Sequence, residues 1–435
     1  VLKKLFRSQR VEARADETAQ AMPPGRVAML VSTAADEYGH LDLHFNALHR
    51  AFAERGIELT RCEAGRPDSQ QLAALARDPD LLFFLCFNGW GANLAWQGAD
   101  GARQSFFSHI GKPLLDHFAD PPFADEMQHV RQFDMAERLV LYTDHTYLAW
   151  DSLYGRSRHS SYFLPQFIPD VPGAPDDAQA APFKPHRERS IGVLLPVSLY
   201  DPDHYYRQML AAMSDRREAQ ALFDELVGTY LHDLRADPLA WVATLWLKKG
   251  RPFDASDPVQ QRVMSAAWHY IKNRRRQMVL EALADVPLTI VTKTIPYAVP
   301  LHARTTVLAP RPFADLAALA GDARLCICPT PHVRGFHERV LLALSRGAVA
   351  LSSPNQVCEE QFRDGEDMLY YQDHGADLRQ KIRSCSDDAE ASDAMGRCGA
   401  AALKARFSAD VTVDCMLRIF HNYRARTLPL AQHPS

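Results

Sequence analysis

The chain has 435 residues, 49 Lys plus Arg against 53 Asp plus Glu for a formal charge of −4, and is 47% hydrophobic and 23% charged. The length suits two or three domains of about 150–200 residues each, and the apolar fraction excludes wholesale disorder. The charge argues against nucleic acid as the main partner, because phosphate-backbone binding needs a strong basic field, and no apolar run reaches the roughly 20 residues of a spanning helix. Eight cysteines, none in a CxxC pair, point to a reduced compartment rather than a disulfide scaffold or zinc site, with the cytoplasm as the expected location.

Residues 1–25 read as a flexible basic segment. Lys3, Lys4, Arg7 and Arg10 lie there without a signal-peptide apolar core, which suits a frayed tail or the anionic inner face of a membrane. Residues 26–168 read as a first α/β domain. Arg26 to Ser32 predicts a strand, the loop Thr33 to Gly39 follows, and Leu41, Phe45, Leu48 and Phe52 recur at helical spacing through Arg55. Further strands are expected at Ile57 to Cys62, Leu81 to Phe87, Pro113 to Ala119 and Leu139 to Tyr142. Strands alternating with helices imply parallel βαβ units and a doubly wound sheet.

Residues 169–189 hold five prolines between Pro169 and Pro185 and read as an interdomain linker. The alternation restarts over 190–385, with strands at Ile191 to Val197, Leu288 to Lys293, Val307-Leu308, Ala323 to Cys328 and Ala348 to Ser352. Cys326 and Cys328 alternate along one of these and are expected to share a packed face. A helical segment, about 203–284, is too long for a simple crossover and reads as an insertion. Helices over 386–435 close the chain. Two Rossmann-like domains facing one cleft suit sugar-nucleotide chemistry, because ligands bind outside the carboxyl ends of the strands.

Arg334 to Tyr371, RGFHERVLLALSRGAVALSSPNQVCEEQFRDGEDMLYY, resembles the C-terminal domain of GT-B glycosyltransferases, in particular the bacterial CgeB-like group within the glycosyltransferase group 1 family. Gly335, Phe336, His337, Glu338, Arg339, Ala343 and Gly347 match the first half of the motif, and Asn355, Glu360 and Gly365 the second. Weaker echoes are Gly111 to Pro122, a strand ending in Asp-Pro, and Tyr162 to Asp170 before the linker. The resemblance implies an α/β GT-B-like fold with a helical insertion in the donor domain. It also implies a nucleoside-diphosphate sugar as donor, no metal or other cofactor, and a glycan, lipid-linked or protein acceptor. Retaining members carry two glutamates eight positions apart; those positions here are Leu342 and Arg334, with Glu338 midway. A sugar-nucleotide epimerase or hydrolase and a non-catalytic scaffold are the alternatives that such a departure leaves open.

The candidate residues follow. Gly335 lets backbone approach a ligand, and a helix starting near Phe336 aims its N–H groups at a diphosphate. Arg339 or His337 would neutralise the leaving group, and Glu338 would hold a sugar or ribose hydroxyl. Lys293 at a strand end could reach a phosphate, and Asn355 and Glu360 could bond the nucleotide or acceptor. Asp120 is a candidate general base or a turn cap. Asp36, Glu37 and His40 occupy a second loop where a base can stand, Trp90 is a stacking candidate, and His40, Asp42 and His44 lack a clear metal geometry. Lys272, Arg274, Arg275 and Arg276 form a charge run of the sort that lines a solvated helix face, as do Lys248, Lys249 and Arg251. They could also meet an anionic acceptor, membrane or protein.

Overall fold

Leu81–Phe87 is apolar at all seven positions, a composition that suits a strand covered on both faces. In a computed structural model of the chain it is the third strand, β3, of a parallel six-stranded sheet. The described residues are 25–427 except 33–35, 37–38, 65–68, 98–100, 102, 125–133, 154–157, 170–182, 251–253, 255–256 and 331–333. The basic segment before Gly25 and most of the proline-rich stretch lie outside them.

The other strands of that sheet are β1 (Gly25–Val31), β2 (Ile57–Glu63), β6 (Leu114–Phe118), β7 (Arg138–Tyr142) and β8 (Ser160–Phe163), in the order β2-β1-β3-β6-β7-β8. Val27, Met29 and Val31 face helix α1 (His40–Ala53) through Ala47, Leu48 and Phe52, while Ala28 and Leu30 face the opposite layer with Phe84 and Phe106. Helices α2 (Ser69–Arg77), α3 (Phe106–Ile110) and α4 (His145–Leu153) complete this unit. A two-stranded hairpin of β4 (Ala95–Gln97) and β5 (Arg103–Ser105), absent from the sequence reading, extends the loop after β3.

The second sheet is also parallel and six-stranded, ordered β11-β10-β9-β12-β13-β14. Its strands are β9 (Ile191–Pro196), β10 (Thr289–Val291), β11 (Thr306–Leu308), β12 (Ala323–Cys328), β13 (Val349–Ser352) and β14 (Leu369–Tyr370). This is the dinucleotide-fold strand order, with its switch point between β9 and β12. Cys326 and Cys328 do share one buried cluster, with Phe336 and Val340. Four helices separate β9 from β10: α5 (Pro202–Ala212), α6 (Arg216–Tyr230), α7 (Pro238–Lys248) and α8 (Pro258–Ala282). Asp-Pro opens three of them, and the Asp201, Asp237 and Asp257 carboxylates accept from the N–H groups of Asp203, Leu239 and Val259 at 3.0, 2.9 and 2.8 Å. Each aspartate thereby caps a helix whose first residue is proline.

Helices α9 (Phe313–Gly321), α10 (Glu338–Ser345), α11 (Gln356–Gln361), α12 (Ala376–Asp387) and α13 (Ala389–Phe407) surround the second sheet. Gly347 ends α10 with φ +63, the left-handed conformation that glycine adopts freely at a helix C′ position. The last helix, α14 (Ala409–Thr427), crosses back to the first domain, where Val413, Met416 and Phe420 join the core of β1 and β3. The insertion crosses too. Met209, Leu222, Trp246 and Trp268 share a buried cluster with Phe118, Phe123, Tyr147 and Trp150 of the first domain. Among the described residues no helix is long and apolar enough to span a membrane.

Candidate active site

A cavity of about 300 Å³ lies where the two domains and the insertion meet. In the first sheet the switch point falls between β1 and β3, and the loops after those strands and after β6 form one wall. Asp36 starts this wall. Its carboxylate accepts from the backbone N–H of His40 and of Leu41, each at 3.0 Å, and lies 2.9 Å from His40 Nδ1. His44, one turn on, is buried with Nδ1 2.8 Å from the His40 carbonyl. Burial pushes His44 and His117 down to about 4, so both are neutral at pH 7.

Asp120 stands beside them. Asn88 holds it, donating from Nδ2 to Asp120 Oδ2 at 3.0 Å while its own Oδ1 accepts the Ala119 N–H at 3.0 Å. These two hydrogen bonds tie the loop after β3, which carries Trp90, to the end of β6. Beneath that loop Asp116 accepts the Gly89 N–H at 2.8 Å and pairs with Arg138 at 2.6 Å, both side chains being buried. The wall is therefore an aromatic surface with a fixed carboxylate, Asp120, lining the cavity and a second, Asp36, tied to the start of α1. His40, Asp42 and His44 separate into different contacts: Asp42 pairs with Arg61, and His44 packs edge-on against Phe87 and Phe167.

The opposite wall is the start of α10. His337 caps the helix, Nδ1 accepting the Arg339 N–H at 3.2 Å, and Arg339 Nη1 lies 3.2 Å from His337 Nε2. Both His337 and Glu338 line the cavity. Burial lowers the Arg339 pKa, with Glu338 pulling it back up.

The third wall is α8, which presents Trp268, Lys272 and Arg276 at four-residue intervals, one face of a helix. Lys272 Nζ sits 4.1 Å above the Trp268 ring. Arg276 is 4% exposed; Nη1 donates to the Ser198 carbonyl at 2.7 Å and Nε has no partner. Burial, followed by repulsion from Arg339, pushes its pKa down to about 9. Among the described residues neither Arg276 nor Arg339 forms a salt bridge with a carboxylate. Buried Arg276 and half-buried Arg339, neither held in a salt bridge, form a site that an anion would complete.

Of the residues singled out in the sequence, His40, His44, Trp90, Asp120, Lys272, Arg276, His337 and Glu338 meet around this cavity and Arg339 stands behind His337. The others do something else. Gly335 makes an antiparallel bridge with Asp144, and a Cβ built on it would lie 2.7 Å from Asp144 Cα and nearer still to the Thr143 carbonyl. Its lack of a side chain serves contact between the domains rather than a ligand. Asn355 is buried and caps α11, its Oδ1 accepting from the N–H groups of Val357 and Cys358 at 3.0 and 3.2 Å. Glu360 is exposed and accepts from Gln356 Nε2 at 3.1 Å, and Lys293 is exposed two residues beyond β10. Neither lines the cavity.

The charge run on α8 is the larger correction. Arg275 and Arg276 are buried, not solvated. Arg275 satisfies the carbonyls at the end of α6, donating to Tyr230, Leu231 and Asp233 at 2.5, 3.1 and 2.8 Å. The signal for Arg276 was its spacing from Trp268 and Lys272.

Two facing Rossmann-like domains with a polar, cation-bearing cleft define the GT-B class of fold. Residues 274–418 match the family described as glycosyl transferase-like. In overall fold the chain is similar to sucrose-phosphate synthase from Thermosynechococcus elongatus, at 12% identity and TM-score 0.50 over 93% of this chain and 100% of that one. It is also similar to an alpha-glucosyltransferase solved with UDP-glucose and DNA containing an abasic site, at 9% identity and TM-score 0.53 over 92% and 100% of the two chains. No curated protein matches it in sequence. The glycosyl transferase-like region thus lies on a chain whose overall fold is of GT-B type.

Proposed function

We propose that the chain is a glycosyltransferase that moves a sugar from a nucleoside-diphosphate donor to an acceptor hydroxyl, with the protein's own cations in the role a metal ion would otherwise fill. The observation that carries the reading is the pair of guanidinium groups outside any salt bridge among the described residues, buried Arg276 and half-buried Arg339, beside the N-terminus of α10. As the bond from the sugar's anomeric carbon to the diphosphate oxygen breaks, negative charge grows on the leaving group. Two planar donors and helix N–H groups in a desolvated site are suited to stabilise it. Glu338 would hold a hydroxyl of the donor.

The acceptor would occupy the wall of the first domain, one face against Trp90. Asp120, oriented by Asn88, would take the proton from the attacking hydroxyl as the new glycosidic bond forms. His44 and His117, neutral in that wall, suit an uncharged sugar-like surface. A glycan, a lipid-linked glycan and a glycosylated protein all present such a hydroxyl. The cysteines are free thiols, as a cytoplasmic enzyme working at or near the inner membrane face would have.

The test is a thermal-shift screen of the purified protein with UDP, GDP, TDP, ADP and CMP, with and without EDTA. UDP comes first, because the alpha-glucosyltransferase of similar fold was solved with UDP-glucose. A ligand at about 100 times its dissociation constant stabilises by about 2.7 kcal/mol. The expected outcome is stabilisation by one nucleoside diphosphate, unchanged by EDTA and lost in Arg276→Ala. No stabilisation by any of them, or an equal shift in Arg276→Ala, would overturn the donor-site assignment.

A further inference from the structure

Helix α8 begins in one domain's core and ends in the other's. Val263, Met264, Ala267 and Trp268 are buried with Phe118, Phe123, Tyr147 and Trp150 of the first domain. Val279 and Leu280, near the other end, lie under the second sheet with Leu195 and Ile290. Between them Ile271 packs with Tyr230 and Ala236 of the insertion. The helix is 25 residues long, about 37 Å at the standard rise, and after Pro258 it contains neither proline nor glycine.

Rotating the domains apart would require one of two things. Either the insertion's apolar face is stripped from β6, β7 and α4, or α8 bends where nothing in its sequence favours a kink. A second tie lies beside the first. Gly335 bridges Asp144, and the His145 N–H donates to the Arg334 carbonyl at 3.0 Å. Interfaces between domains are ordinarily small and polar enough for hinge motion, whereas this one is apolar and buried.

We infer that α8 is a rigid strut that fixes the separation of the two domains, so that the cleft holds this same spacing before and after a substrate arrives. The wall carrying Trp268, Lys272 and Arg276 then stays in place on binding, and substrate affinity is not reduced by a closure step. This inference stands on packing alone and holds whatever the donor proves to be.

The experiment is a distance measurement by pulsed electron resonance between two spin labels. Cys398 on α13 is exposed and provides one attachment point. Ala74→Cys, at an exposed position on α2, provides the other, and Cys415→Ser removes the partly exposed thiol that would also react. The six remaining cysteines are buried. The expected result without ligand is a single narrow distance. UDP, GDP or whichever nucleotide proves to stabilise the protein should shift it by less than about 2 Å, the range of pre-organised partners.

Two resolved distances in the free protein, or a larger shift on binding, would overturn the strut. Arg274→Pro, at a partly exposed position outside the cavity, supplies a second arm by removing a hydrogen bond in the middle of α8. Where circular dichroism shows that variant folded, a longer or broader distance is expected, and an unchanged one would overturn the inference. The unmodified helix decides the question if the variant does not fold.

Discussion

A methyl group at position 335 would press on the Thr143 carbonyl and on Asp144 Cα, so Gly335→Ala must push the domains apart at their backbone bridge. The expected loss is about 1–3 kcal/mol in urea unfolding, with faster amide exchange at residues 143–146, across the interface from the substitution. Unchanged exchange there would mean that the glycine is needed for something other than domain contact. The residue pattern from Arg334 to Tyr371 is legible in the sequence because each part answers to local geometry: a cap, a C′ glycine, a buried strand. What is not legible is which side chains look outward. Asn355 reads as a ligand residue from its place after a strand, yet its amide oxygen is consumed by α11. Arg276 reads as one charge in a solvated run, yet it is buried against the Ser198 carbonyl and beside Tyr200, Tyr205 and Tyr297, which local spacing on the helix does not reveal.

At the scale of elements, the longer apolar strands follow from the sequence with bounds that differ by a residue or two. The short strands β4, β5 and β14 do not, and β8 lies earlier than the pre-linker stretch suggests. The packing of the helical insertion does not follow from any local pattern. Its apolar faces are visible in the sequence, but the partner they cover is set by tertiary contact. The joint among α4, β7 and β8 depends on one imidazole. His159 Nδ1 lies 2.7 Å from Asp134 and Nε2 2.9 Å from Asp151, with Ser161 also bonded to Asp151. Burial alone would lower its pKa, and Arg138 acts the same way, but hydrogen bonds and charge from Asp151 and Asp134 raise it above the ordinary 6.5.

A raised folded-state pKa contributes stability that is complete below about 6.5 and is lost as pH rises through the raised value. Asp134, held below its ordinary value of 3.8 against burial by bonds from the Arg158 and His159 backbone and the His159 ring, keeps its share until strongly acid pH. His159→Asn is therefore expected to cost about 1–3 kcal/mol at pH 6 and less at pH 9. Thermal melts of both proteins across that range check it, and a pH-independent difference would rule the ionised pin out.

At the scale of the whole molecule, the first sheet depends on the last helix. Phe420 on α14 is 2% exposed and meets Phe83 of β3 with ring centroids 5.1 Å apart. Phe420→Ala is expected to cost about 3–5 kcal/mol, with the largest loss of amide protection in β1 and β3 rather than in the second domain. Protection lost evenly over both domains would show that α14 is not a local cover. The same crossing has a consequence during synthesis. By the time β1, β2 and β3 have left the ribosome, more than three hundred residues separate them from the segment that covers one face of their sheet. At ordinary elongation rates of about 5–20 residues per second, that apolar face waits many seconds for α14 to complete the cover that α1 begins.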